Sequence, residues 1–400
     1  MKYAIWFVRF WYVAWMIPAG IEHFYHIYPQ PGASSPHPLA AQMLGALLAS
    51  HLFDIVKAVE LLLGVAVLFR FFTPLALLAC MPVAVCVFWW DAPLSEWSTG
   101  SVIAGARVLA SNVLLCFAYI ACMRPMFAVS AKVADAGKWV PIARMVFGAW
   151  MLANGINHFF LSAWSTPSGA TALSAQLMSA LVDSHLLDVC MGIELVAGAL
   201  ILGGTLVPAA LCTVMAVSTC ALFWSLLDLQ PLTLLLGVGA TVLNGLLMLA
   251  YLPYFQGVLQ RAPLTLGETD PHTSWNALFV QPGGRTSRGV FAAALVPLLL
   301  ATLWYAVKGP AVDYAPWGVL VLVYPAVVLH VRRLHDMGYS GWIALVPGVL
   351  SVLAMLIWAQ RVSGGAAFDA AIPLVAAVSF AALAAWGCLS AGQLKPQVPQ

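Results

Sequence analysis

Apolar stretches long enough to cross a bilayer recur along almost the whole chain, separated by short polar segments. They fall near residues 4–27, 43–69, 73–90, 102–123, 140–162, 177–202, 206–227, 232–254, 289–308, 316–331, 341–360 and 370–390. Lipid offers a backbone N–H or C=O no partner, so each stretch must satisfy its own hydrogen bonds as a helix of about 20 residues. The pattern predicts an all-α integral membrane protein of about 12 transmembrane helices. Met1 to Tyr28 holds a run of spanning length without a small-residue cleavage site, so it is expected to stay as the first helix.

The pattern also repeats. RFWYVAWMIPAGIEHF (9–24) aligns with RMVFGAWMLANGINHF (144–159), and AQMLGALLASHLFDIVKAVELLLG (41–64) with AQLMSALVDSHLLDVCMGIELVAG (175–198). Arg9, Gly20 and His23 thereby pair with Arg144, Gly155 and His158. Ser50, His51, Asp54 and Glu60 pair with Ser184, His185, Asp188 and Glu194. Polar residues kept in register over such a period indicate duplication. A unit with an even number of helices re-enters on the side where it began, so the copies should be parallel repeats about an axis normal to the membrane. The expected organisation is a first four-helix repeat at 1–128, a second at 136–258, a cytoplasmic linker at 259–288 and a different four-helix unit at 289–391.

Composition narrows the classes. Hydrophobic residues make up 62% and charged residues 8% of the 400, too little charge to cover a water-facing surface, so the principal partner is the lipid bilayer. A net charge of +2, thinly spread, excludes nucleic-acid binding. The eight cysteines lie inside apolar runs without a C-x-x-C and read as reduced thiols. Lys2, Arg9, Arg124, Lys132, Lys138, Arg144, Arg261, Arg285, Arg288, Arg332 and Arg333 gather on one side when the helices alternate. Asp91, Glu96, Asp228 and Asp313 fall on the other, and Arg70, Lys308 and Arg361 are taken as exceptions. The positive-inside rule then places both termini in the cytoplasm, at a bacterial inner membrane.

The G-I-x-H-F end of the first helix, the S-H-x-x-D and Glu of the second and the Pro-initiated third resemble the DoxX-like family, twice over, across about residues 1–256. That resemblance implies redox membrane biology, since members resemble subunits of thiosulfate–quinone and terminal-oxidase systems. GGRTSR (283–288) and RRLHDMGYSGW (332–342) resemble the family called domain of unknown function 805, across about 275–391. That second likeness implies a fold and no activity.

Ionisable side chains inside a bilayer are costly and need a partner or a task. Helix geometry puts Arg9 within a long side chain's reach of Glu60, so Arg9–Glu60 and Arg144–Glu194 are expected as intramembrane ion pairs. His23, His51 and Asp54, with His158, His185 and Asp188 as their copy, are the candidates for chemistry near the outer ends of the first two helices of each unit. Two imidazoles and a carboxylate suit a transition metal, a haem or a quinone carbonyl. A His–Asp hydrogen bond locking two helices, or a proton path, would use the same residues. The first copy adds Glu22, His26, His37 and Lys57, where the second has Asn157 for Glu22 and Met191 for Lys57.

Asn112 with Tyr119, and Asn244 with Tyr251, read as interhelical hydrogen-bond glue, and Trp89, Trp90, Trp97 and Trp317 as an interfacial belt. In the last unit Arg285, Arg288, Arg332, Arg333, His335 and Asp336 form a basic cluster, either fixing loops or recognising an anionic headgroup. Three functions remain open. One is a membrane subunit associated with other redox subunits through metal, haem or quinone. The others are a small-solute or ion transporter with its site between the repeats, and a non-catalytic scaffold. The transporter reading would want broken helices, for which Pro82 is the weak signal.

Overall fold

A computed structural model describes residues 1–27, 37–133, 139–308 and 314–392; Tyr28, Lys138 and Asp313 lie outside them. The molecule is all-α, 79% helical and without strands among the described residues. Fourteen helices organise it: α1 (Lys2–Tyr25), α2 (Pro38–Ala49), α3 (Leu52–Leu68), α4 (Thr73–Asp91), α5 (Thr99–Ala118), α6 (Trp139–Ile156), α7 (Ala172–Asp183), α8 (Leu186–Gly203), α9 (Val207–Asp228), α10 (Pro231–Ala250), α11 (Arg288–Lys308), α12 (Ala315–Asp336), α13 (Leu345–Trp358) and α14 (Ala366–Leu389). Ten helical segments among the described residues are long and apolar enough to cross a membrane, which makes this a multi-pass membrane protein.

The runs at 43–69 and 177–202 were expected as single helices and are each broken. His51 and His185 sit in the left-handed region, at φ 60° and 58°. Just before each, a serine turns its hydroxyl back: Ser50 Oγ donates to Leu47 O and Ser184 Oγ to Leu181 O, both at 3.2 Å. A hydroxyl that serves the preceding turn competes with the helical ladder, and a left-handed residue ends it. The short outer pieces α2 and α7 pack on each other, and Gln42 Nε2 donates to Asp183 Oδ2 at 2.7 Å. The longer pieces α3 and α8 continue into the bundle.

Within residues 2–118, α1 packs on α3 and α5, α3 on α4, and α4 on α5. Residues 139–250 repeat those contacts with α6, α8, α9 and α10. Two equivalent glycines mark a close approach that both sets share. A Cβ on Gly20 would lie 2.8 Å from Leu61 N, and one on Gly155 the same distance from Leu195 N. Small residues let backbones meet where lipid supplies no hydrophobic drive for helices to associate.

The third set, α11 to α14, packs on α1 through α11 and α12. Tyr305 donates its hydroxyl to Trp11 O at 2.9 Å, and Gly318 leaves no room for a Cβ against Ala14 O. Helix α1 is therefore covered on two sides. Part of the segment 259–288, expected as a linker, packs into the core. Trp275 and Phe279 are fully buried against Phe10, and Trp275 Nε1 donates to Leu68 O at 2.8 Å. Arg70, set apart in the charge pattern, lies at the same end as Arg9 and Arg261: Phe72 N donates to Arg261 O at 2.9 Å, and Arg70 donates to Pro263 O at 2.8 Å. Following an even-numbered run, it belongs with the basic end.

Candidate functional site

Each helix break carries the same constellation. Asp54 stands in the first turn of α3, where the free N–H groups favour a carboxylate. One carboxylate oxygen takes His23 Nε2 from the end of α1 at 2.6 Å; the other takes His51 Nδ1 at 2.8 Å. In the second set Asp188 takes His158 Nε2 at 2.7 Å and His185 Nδ1 at 2.9 Å. The inner imidazole of each trio is half-buried against an aromatic ring, whereas His51 and His185 are 82% and 75% exposed. The broken backbone brings this about: a left-handed residue before the first turn swings its side chain back over that turn, onto the aspartate three residues on.

Electrostatically the arrangement is a carboxylate with one imidazole N–H on each oxygen. With Nδ1–H given to the aspartate, the outward nitrogen of His51 or His185 is Nε2, free to accept a proton, and the aspartate stabilises the imidazolium that results. Two ligands of one metal at about 2.1 Å sit roughly 3.3 Å apart. The observed separations of 2.6–2.9 Å are those of shared protons. Among the described residues no group of three or more His, Cys, Asp or Glu side chains is arranged to hold a metal ion. The residues as placed fit a ligand that exchanges protons and hydrogen bonds.

The other candidates distribute as follows. Glu22 is buried in α1. His26 ends that helix in a left-handed conformation, and no hydrogen bond or ion pair among the described residues joins its side chain to the trio. His37 faces Glu96 at 3.3 Å. Asn157 exchanges hydrogen bonds with the backbone of Trp164, at 2.9 and 3.1 Å. Trp89 and Trp90 are packed beneath the α2–α7 pair, Trp89 donating to Ser184 O at 2.9 Å, while Trp97 is exposed.

The expected ion pairs are corrected. Arg9 does not reach Glu60. It donates to Val67 O, to Tyr119 Oη at 3.0 Å and to Thr73 Oγ1, and its guanidinium stacks 4.2 Å over Trp275. The last carbonyls of α3 are met by the turn that ends the helix, Val67 O taking Arg70 N at 3.3 Å and keeping a lone pair for a second donor. Arg9 is level with it, so it caps that helix and need not climb to Glu60. Glu60 takes Lys57 Nζ at 2.7 Å. Likewise Arg144 binds Tyr251, and Glu194 takes Asn154 Nδ2 at 3.1 Å. The glue asparagines hold: Asn112 donates to Tyr12 Oη at 2.8 Å and Asn244 to Leu211 O at 3.3 Å.

At the last unit's basic cluster, Arg332 donates to Thr286 Oγ1 and to the carbonyls of Gln281, Gly283 and Arg285. Arg333 binds Asp336 and the carbonyls of Thr286, Gly387 and Ser390. Both guanidiniums are buried and spent on tying loops and the end of α14 together. His335 joins them through Gly284 O at 3.2 Å, leaving Arg285 and Arg288 exposed.

Two groups escape the sequence reading. Glu268 stands with Asp270 in a polar-looking segment, where only the aromatic cluster after them, Trp275 to Phe279, signals burial. His330 is buried inside α12 between Phe291 and Phe380, its Nδ1 on Ala326 O and its Nε2 without a partner among the described residues. The cost of an ionisable residue within a span was signal enough to mark it.

Compared with known proteins, residues 279–389 match a family described as protein of unknown function (DUF805). No curated protein and no solved structure matches the chain. The matched segment comprises α11 to α14 with the last turns of the folded segment before them. The class that fold and comparison define is a multi-pass α-helical membrane protein whose residues 279–389 match that family.

Proposed function

We propose that this protein is an integral inner-membrane subunit of a quinone-linked redox system, built from two DoxX-like four-helix repeats and the DUF805 unit. In this reading the twin His–Asp–His trios bind a quinol headgroup at the outer ends of the repeats. The observation that carries it is the exposed imidazole of each trio. His51 and His185 offer Nε2 outward while Nδ1 is held by an aspartate that also holds a second histidine. A quinol hydroxyl must lose its proton as its electrons leave. His51 accepts that proton at Nε2, and Asp54 balances the charge, which is general-base catalysis with an oriented base. The inner histidine fixes the carboxylate. Quinol gives up two protons and two electrons. One proton goes to Nε2 and the second to water at the exposed mouth of the site. The electrons go to a haem or metal centre that a partner subunit supplies.

The test is reconstitution with a photoreactive quinone analogue. His51→Gly with His185→Gly removes both outer imidazoles while glycine keeps the left-handed backbone at no steric cost. Labelling should fall at least about tenfold, the worth of one charge-assisted hydrogen bond, with the melting temperature held. Undiminished labelling in the folded double variant would sink the proposal.

A second reading, a proton-coupled transporter, is favoured by one observation: the helix breaks occur at corresponding positions of the two repeats, as discontinuous helices do in secondary transporters. Proteoliposomes that take up protons with a solute, and bind no quinone, would select it.

A further inference from the structure

The basic end holds a second polar centre, remote from the trios. Glu268 is buried, and its carboxylate is saturated. One oxygen takes Trp6 Nε1 at 3.1 Å and Trp275 N at 2.7 Å; the other takes Thr265 N at 3.0 Å and Arg70 Nη2 at 3.0 Å. Arg9 lies within electrostatic reach of both Arg70 and Glu268, and its own bonds go to neutral groups. Two buried guanidiniums therefore share one carboxylate, and the cluster carries a net positive charge. Uncompensated charge inside a membrane protein is costly, so the cluster calls for an anion.

Space for one lies beside it. A cavity of about 300 Å³ is lined by Arg70, Leu264, Ser274, Asn276 and Gln281 among others. Among the described residues Arg70 donates through Nε and Nη2, so its planar fork keeps a further donor group, Nη1, for a ligand. Asn276 Oδ1 is buried without a hydrogen-bond partner among the described residues, an acceptor waiting for a hydroxyl. Around this end Phe69, Phe71, Leu259, Leu264 and Leu266 expose apolar surface, as residues at acyl-chain level do. Arg261 stacks 5.1 Å over Phe71 at the same end.

We infer that this cavity binds the phosphate of an anionic phospholipid with a hydroxylated headgroup, its phosphate on Arg70 and a hydroxyl on Asn276. Guanidinium groups match phosphate geometry, and the anionic leaflet concentrates such lipids at the basic side of a membrane protein. The bound lipid would sit where the turn after α3, at Arg70, meets the segment 259–288, and would bind that junction together.

The experiment uses the full chain in a neutral detergent, stripped of lipid. Thermal melting is followed on adding phosphatidylglycerol, phosphatidylcholine or inorganic phosphate, and retained lipid is counted by native mass spectrometry. Phosphatidylglycerol should raise the melting temperature and phosphatidylcholine should not. Asn276→Asp, which sets a negative charge in the cavity without changing its size, should weaken phosphatidylglycerol binding by at least about tenfold, as like charges at contact distance repel. The lipid-free melting temperature of that variant reports its folding. Asn276→Leu, which removes the acceptor and adds no charge, serves if Asn276→Asp does not fold. If inorganic phosphate alone reproduces the gain, the site takes phosphate from a soluble source. The proposal is overturned if neither ligand stabilises the protein, or if a folded variant responds as fully as the wild type.

Discussion

The two His–Asp–His trios are alike to within about 0.1 Å in their hydrogen bonds, yet the arginines beneath them live in different surroundings. Arg9 caps α3, binds Tyr119 and stacks on Trp275. Arg144 binds Tyr251, while its Nε is buried with no partner among the described residues. The difference comes from the third helical set, which covers α1, and from the segment before it, which places Trp275 against Arg9. The equivalent helix α6 exposes Ile142, Met145 and Val146. An identical local motif thus keeps its internal bonds in both sets, whereas the charges around it follow whatever packs outside.

The largest effect should come from the contact that only the first set has. Glu268→Gln leaves Arg70 buried without its counter-charge and should cost about 3–5 kcal/mol, read as a fall in melting temperature. Burial pushes the Glu268 carboxyl up, but the Arg70 guanidinium and the N–H groups of Thr265, Trp275 and Trp6 outweigh it and hold it below its usual 4.5. A carboxylate depressed by folding contributes its stability above the ordinary value and loses it as pH falls through the folded one. Wild type should therefore lose stability progressively below about pH 4.5, and Glu268→Gln should lose less. An unchanged acid profile in the variant would show that Arg70 is neutralised elsewhere.

A smaller contrast tests the arginines directly. Arg9→Met removes the donor to the buried Tyr119 hydroxyl and leaves the Val67 carbonyl with Arg70 N, and should cost about 2–3 kcal/mol. Arg144→Met removes a group already short of partners and should cost about 1 kcal/mol or less. Equal losses in denaturation would mean that the third helical set is not what distinguishes the two.

The smallest change exchanges one solution for the other. Lys57→Met copies the residue at Met191 and leaves the buried Glu60 without its donor, at a cost of about 1–3 kcal/mol. Adding Ala19→Asn, the counterpart of Asn154, should recover part of that loss, measured as a double-mutant cycle. No recovery would show that the α1–α3 interface differs from α6–α8 more than their shared glycine contacts suggest.

The linear pattern determined the helices and paired the trios, because apolar runs and polar residues in register are local facts that lipid makes compulsory. Asp54 three residues after His51 already placed both on one face, and the repeat named the second site with the first. What the pattern did not determine was the break at each histidine. Ser50 and Ser184 look ordinary inside an apolar run, and only competition for the preceding carbonyl, settled by packing against α7 and α2, turns them into helix ends. Arg9 was matched to Glu60 because opposite charges attract at a reachable distance. The tertiary structure gave it instead to a carbonyl at the end of α3, Val67 O, which is left open to a side-chain donor where that helix stops. Glu268 and Arg70 were invisible as partners at a separation of 198 residues, since nothing in a chain records which loop will fold back beneath its first helix. Short-range periodicity and the demands of lipid thus wrote the elements and the sites, and long-range packing chose the partners of every buried charge.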